Sequence, residues 1–223
     1  VLKGIRLFEP FSKEELGNIC KIGGPTAIQG MVYCMISMVL TRMVAAFGAE
    51  AIATQRVGGQ IESVSWNTAD GFAAALNAFV GQNYGAKKMD RVQKGYRISF
   101  WTVAIWGALI MLAFIIFPGP IAGVFFHEEK AMEIAISYLI IIGFSEAFMC
   151  VELMTIGALS GLGKTKLCSV ISITATSMRI PLAMVLSRTS LGLDGIWWAL
   201  TLTSVAKGII FYLTFRYQMR EKC

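Results

Sequence analysis

The chain has 223 residues, 56% hydrophobic and 15% charged, with a mean hydropathy of +0.63 and a formal net charge of +6. A soluble domain carries about a quarter charged residues, so this composition excludes an ordinary water-soluble fold and reads as an all-α, polytopic membrane protein. Five cysteines, at 20, 34, 150, 168 and 223, form no CxxC pair and no regular spacing, which argues against a disulfide framework or a zinc site and leaves them as reduced packing residues.

The first twenty residues lack the order of charged, apolar and small residues that marks a signal peptide. The chain opens at Val1, so a fragment or a processed piece is expected. Within residues 1–22, SKEE at 12–15 has the pattern of a capping box between Ser12 and Glu15, and the spacing predicts a short amphipathic helix on the cytoplasmic surface.

Six segments are apolar for long enough to cross a bilayer core about 30 Å thick: 25–47, 52–82, 97–117, 134–160, 166–187 and 195–215. Together they predict a six-helix transmembrane bundle over residues 23–217, followed by a cytoplasmic tail at 218–223. Pro25 falls where a first-turn proline belongs. FPGP at 117–120, SGLGKTK at 160–166 and SLGLDG at 190–195 read as loops.

Charge gives the direction, because short cytoplasmic loops collect Lys and Arg. Residues 1–22, the second and fourth loops and the tail hold fourteen basic groups against five acids, a balance of +9. The other side has Lys130 and Arg188 against Glu50, Glu128, Glu129, Glu133 and Asp194, a balance of −3. Both termini are therefore expected in the cytoplasm. The basic excess fits orientation and contact with anionic membrane lipid, and nothing in it calls for nucleic acid. Arg42, Arg56, Arg179 and Lys207 remain within or at the ends of spans, balanced in number by Glu62, Asp70, Glu146 and Glu152.

The second span carries the most informative pattern. At 100° per residue, Arg56, Gln60, Ser63, Asn67, Asp70, Ala74, Asn77 and Gly81 share one arc of the helix. Glu62 lies outside that arc and is expected to make a separate contact. A charge at the bilayer centre costs on the order of 3 kcal/mol on insertion scales, and such groups usually face a bundle interior or an aqueous cavity. The stripe can line a path for water and solute, with Asp70 the carboxylate best placed to exchange a proton or a cation. It can also be helix glue, amides and ion pairs holding spans together. Arg179, close to Pro181 where a span can bend, is a plausible partner for Asp70. Glu146 and Glu152 are six residues apart, about 120° around a helix, and do not form one paired site.

The stretch TQRVGGQIESVSWNTADGFAAALNAFVGQNYGAKKMDRVQKGYR at 54–97 resembles the second helix and following loop of a lobe in bacterial multidrug and toxic compound extrusion (MATE) transporters. GGP at 23–25, IGALSGLGKT at 156–165, RIPLA at 179–183 and LGLDGIWWAL at 191–200 extend the similarity over nearly the whole chain. The resemblance implies one six-helix lobe, the carboxy-terminal one, of a twelve-helix protein, with residues 1–22 the crossover from a missing amino-terminal lobe. It also implies residence in the bacterial inner membrane and export of organic cations or other amphipathic compounds in exchange for H⁺ or Na⁺, with no other cofactor. Where one branch of the family binds its cation through two acids, this chain has Tyr33 and Met149. Gln29, Glu146 and Glu152 are the nearest polar groups, so the sequence departs from that sodium site. Trp66 borders the stripe and offers a ring face to a flat cation. With Gln29, Tyr33, Arg56 and Asn77 it makes up the expected substrate cavity, while Asp70, Glu62, Gln60, Asn67, Arg179, Glu146 and Glu152 make up the expected coupling set.

Two other readings are weaker. A flippase for a lipid-linked precursor needs several basic residues in its cavity, and only Arg56 and Arg179 are candidates. An enzyme would have to be built on His127, Glu128 and Glu129, a single histidine in an acidic run that reads more simply as a solvated loop. GLGK at 161–164 lacks the spacing of a phosphate-binding loop.

Overall fold

A computed structural model describes residues 13–220, and every regular element among them is helical. In chain order these are α1 (Lys13–Ala45), α2 (Ala49–Gly85), α3 (Met89–Ile116), α4 (Pro118–Gly123), α5 (Glu129–Gly143), α6 (Glu146–Gly161), α7 (Thr165–Ser177), α8 (Arg179–Leu186) and α9 (Leu193–Arg220). They form six rods: α1, α2, α3, α5 with α6, α7 with α8, and α9. Residues Gly23–Ala45 of α1, α3, the α7–α8 rod and α9 are each long and apolar enough to cross a membrane, and the bent α5–α6 pair makes a fifth such span. The sixth rod, α2, is the longest at 37 residues, and its polar stripe makes it less apolar than the rest.

Three details depart from the sequence reading, and a fourth makes it more definite. Residues 13–22, expected in a separate surface helix, are the first turns of α1, and Pro25 lies inside that helix instead of at its start; Ser12 of the expected capping box lies outside the described residues. FPGP is not simply a loop, since Pro118 starts the short helix α4 directly after α3. The span expected at 134–160 breaks at Phe144–Ser145, where its halves meet at 50°. There Ser145 Oγ turns back to donate to the Ile142 carbonyl at 2.9 Å, a local bond that competes with the helix ladder. The span expected at 166–187 breaks at Met178, beside Arg179, where Pro181 was expected to let it bend. Pro181 has no N–H to offer the Ser177 carbonyl, and the ladder gives way at that turn.

α6 is the hub. It packs most extensively on α2, and then on α3 and α9. Gly157 and Gly161, one turn apart, let its backbone lie against that of α2. A Cβ at Gly157 would run into the Ala73 carbonyl oxygen, and one at Gly161 would stand 2.6 Å from the Asn77 carbonyl oxygen. Small residues at this spacing are how helices approach closely in lipid, where apolar side chains have no preference for one another over acyl chains. A row on α3, with Ile98, Ile105, Leu109, Leu112 and Ile116, is left exposed and suits acyl chains.

The basic loops gather at one end of the bundle: Gly81 near the end of α2 meets Gly161 at the end of α6, and the start of α3 borders the end of α9. At the other end Lys130 Nζ lies 3.4 Å from Glu50 Oε1. A backbone hydrogen bond at the start of α2, helped by Lys130, holds the exposed Glu50 carboxyl below the usual carboxylate range. This tie is present above that range and loosens as pH falls through it.

Replacing Gly161 by Leu should cost about 1–3 kcal/mol by overpacking and show as a lower melting temperature and poorer monodispersity in detergent. Gly71→Leu, at a position with nothing within 4 Å of a Cβ, should leave both unchanged.

Candidate functional site

The stripe on α2 faces away from the helices of the bundle. Arg56, Gln60, Asn67, Asp70 and Asn77 are exposed and Ser63 is half-buried, whereas Gly58, Ser65, Ala69, Ala73, Leu76 and Val80 form the buried face toward α5 and α6. Trp66 stands beside the stripe, 50% exposed. On α1, Tyr33 is exposed and Gln29 half-buried. The expected pairing of Asp70 with Arg179 does not occur, because Arg179 is buried and points elsewhere.

A second group of polar residues lies inside. Glu62 is half-buried on the side of α2 toward α5, and Tyr138 of α5 donates its hydroxyl to Glu62 Oε1. That contact needs Gly58, one turn earlier, since a Cβ there would collide with the Tyr138 ring. Trp197 of α9 holds the same ring edge-on, with centroids 4.9 Å apart. Glu146 opens α6 just after the break and is 1% exposed. Neither of its carboxylate oxygens has a hydrogen-bond partner among the described residues. Glu62 is near enough to act on it by charge, and the Ser65 hydroxyl lies close by without meeting hydrogen-bond geometry; Ser65 Oγ is instead 3.3 Å from Cys150 Sγ.

The cations are held by α9. Arg179, at the first position of α8, donates from Nε to Thr203 Oγ1 at 3.1 Å and from Nη2 to Ser204 Oγ at 2.9 Å. It is close enough to Glu62 for their charges to attract. One turn further along α9, Lys207 Nζ meets Glu152 Oε1 of α6 at 2.6 Å, with both side chains less than a tenth exposed. Among the described residues the buried charges are thus two carboxylates, Glu146 and Glu152, and two cations, Arg179 and Lys207, with Glu62 a third carboxylate half-buried beside them.

Of the expected coupling residues, the fold brings Glu62, Glu146 and Arg179 together, places Glu152 in an ion pair, and leaves Asp70, Gln60 and Asn67 on the outer face. Tyr138, Ser65, Thr203 and Ser204 were not singled out in the sequence. The polar run Thr201, Thr203, Ser204 and Lys207 in an otherwise apolar span was a readable signal for α9. A lone tyrosine in α5 was not, because aromatics in spans usually pack.

A family model described as MatE matches residues 25–185. The chain belongs to the MatE family. It is 28% identical over 212 residues to the probable multidrug resistance protein NorM of Thermotoga maritima, covering 91% of this chain and 45% of that protein. It is 24% identical over 222 residues to the probable multidrug resistance protein YoeA of Bacillus subtilis, covering 99% of this chain and 48% of that one. The chain thus spans about half the length of the curated relatives it matches. Its fold is that of one half of solved MATE transporters. The bent form of the Vibrio cholerae transporter VcmN superposes with a TM-score of 0.86 at 21% identity, over 95% of this chain and 48% of that one. A MATE structure in the straight conformation gives 0.87 at 20% identity, over 98% and 50%. This MatE chain is thus a multi-pass membrane protein with the fold of a MATE lobe.

Lys207→Met should cost about 3–5 kcal/mol, because it leaves Glu152 buried without its partner. Adding Glu152→Leu should restore most of the loss. Thermal unfolding followed by tryptophan fluorescence checks both, and equal instability of the single and double variants would remove the ion pair from the account.

Proposed function

We propose that the chain is the carboxy-terminal lobe of a secondary active efflux transporter of the bacterial inner membrane, with its basic end and both termini in the cytoplasm. It exports organic cations or other amphipathic compounds in exchange for H⁺ or Na⁺, together with an amino-terminal lobe. The observation that carries this reading is Glu146, buried with neither carboxylate oxygen in a hydrogen bond or ion pair among the described residues and close to a second carboxylate, Glu62. An ion stripped of water and left without a counter-charge costs several kcal/mol. The site therefore calls for a proton or a small hard cation, for which Glu146, Glu62 and Ser65 supply oxygens. Resemblance to proteins named for multidrug resistance supports the cargo class.

The two polar groups then have different tasks. Glu146 and Glu62 take up and release the coupling ion. Tyr138 holds Glu62 in place, and Arg179 competes with the ion for it, so movement of α8 relative to α2 changes the affinity. Asp70, Gln60, Asn67, Arg56 and Asn77 face the cleft between lobes, where Asp70 draws in cationic cargo and Trp66 offers a ring face to it. Gln29 and Tyr33 line the α1 side of the same space, and Glu152 fixes Lys207.

Ethidium accumulation in inverted vesicles, with the chain alone and co-expressed with its amino-terminal lobe under separately imposed proton and sodium gradients, tests this. Glu146→Gln should abolish gradient-driven accumulation with normal membrane insertion, because it keeps the shape and removes the titrating oxygen. Asp70→Asn should weaken uptake of cationic dyes more than of neutral ones. Full gradient-driven transport by Glu146→Gln would overturn the assignment of the coupling ion.

A further inference from the structure

Both α3 and α9 pack on α6 without extensive contact with each other. At the basic end they leave between them a cavity of about 450 Å³. Its floor is aromatic: Tyr96 stacks on Phe215 with centroids 3.6 Å apart and is anchored to α6 by a 3.0 Å hydrogen bond between its hydroxyl and Thr155 Oγ1. Arg97, Arg216 and Arg220 line the rim, all exposed. None of the three is in an ion pair with a carboxylate among the described residues, and Arg216 lies over the Tyr212 ring at 5.9 Å.

The order of side chains with depth is informative. Trp101 and Tyr212 each lie four residues from an arginine, Arg97 and Arg216, about 6 Å deeper along their helices. Trp101 is 61% exposed, and below it Ile105 and Leu109 continue as an exposed apolar row, 58% and 57%. Guanidinium groups outermost, amphipathic rings beneath them and an apolar track beneath those match a phosphodiester headgroup, its glycerol region and an acyl chain. Arginine is suited to phosphate by its planar set of donors, and basic pockets between spans on the cytoplasmic side bind anionic headgroups.

We propose that this groove is a binding site for an anionic phospholipid, with the phosphate held by Arg97 and Arg216, Arg220 closing over it, and one chain lying along Trp101 and the outer face of α3. A free phosphate ester would meet the same arginines and leave the apolar track unused. The site lies apart from the coupling residues and does not depend on the proposed transport.

Native mass spectrometry of the 223-residue chain in detergent, titrated with phosphatidylglycerol and with phosphatidylcholine of matched chains, tests the proposal. Phosphatidylglycerol should bind about tenfold more tightly, and Arg97→Gln with Arg216→Gln should remove that preference. Glycerol phosphate should not displace the lipid. Equal affinity for the two lipids, or an unchanged preference in the variant, overturns the site; full displacement by glycerol phosphate would reassign it to a soluble phosphate ester. If the variant fails to fold, phosphatidylglycerol brominated on its chains decides the matter in the unmodified arginine background. It should quench the fluorescence of the chain more than that of Trp101→Phe, and equal quenching of the two overturns the proposal.

Discussion

The close approach of α6 to α2 is the contact on which the rest of the lobe depends. In lipid, two helices gain nothing by burying leucine against leucine, so their association rests on how near the backbones can come. Gly157 and Gly161 remove the side chains that would hold the helices apart. The result is that Glu62 and Ser65 of one helix share a small volume with Glu146 and Cys150 of the other. Had α6 carried larger residues there, these groups would lie too far apart to influence one another.

That proximity creates an electrostatic problem that the remaining helices answer only in part. α9 contributes Lys207 to neutralise Glu152 and supplies Thr203 and Ser204 to hold Arg179 within range of Glu62. Glu146 has no such answer among the described residues. Stable interiors seldom tolerate a buried carboxylate without a partner, and groups of this kind inside membranes are usually tied to transport. The outer stripe obeys a different rule: water or another protein surface can solvate Asp70 and Asn67, so they need no internal partner.

Much of this arrangement was legible in the residues. Six apolar runs, the loop charges and the period of the α2 stripe come from short-range physics, since hydropathy and helical geometry act within one segment. The separation of Glu62 from the stripe was legible for the same reason. The interior pairing was not, because it depends on which rods touch. Lys207 and Glu152 are far apart in sequence, and no periodicity says that α6 meets α9 there. The expectation that Arg179 answers Asp70 failed on the same point. Depth along the membrane is readable from a sequence, whereas azimuth between helices is not. The break at Ser145 was hidden because its cause, a serine bonding back to a carbonyl, is a weak local signal inside a strongly apolar run, whereas the break at Met178 falls where Pro181 let the span bend.

The break between α5 and α6 also gives Tyr138 a lever arm about the joint. Tyr138 lies five residues before the end of α5 at Gly143, about 8 Å along the axis. A change of about 10° in the bend carries the backbone at Tyr138 sideways by about 1.4 Å, more than a hydrogen bond to Glu62 tolerates. Glu146, on the other side of the joint, belongs to α6 and would not move with α5. An angular movement at this joint would therefore be converted into the making or breaking of one contact at one carboxylate, with the neighbouring carboxylate as a stationary reference.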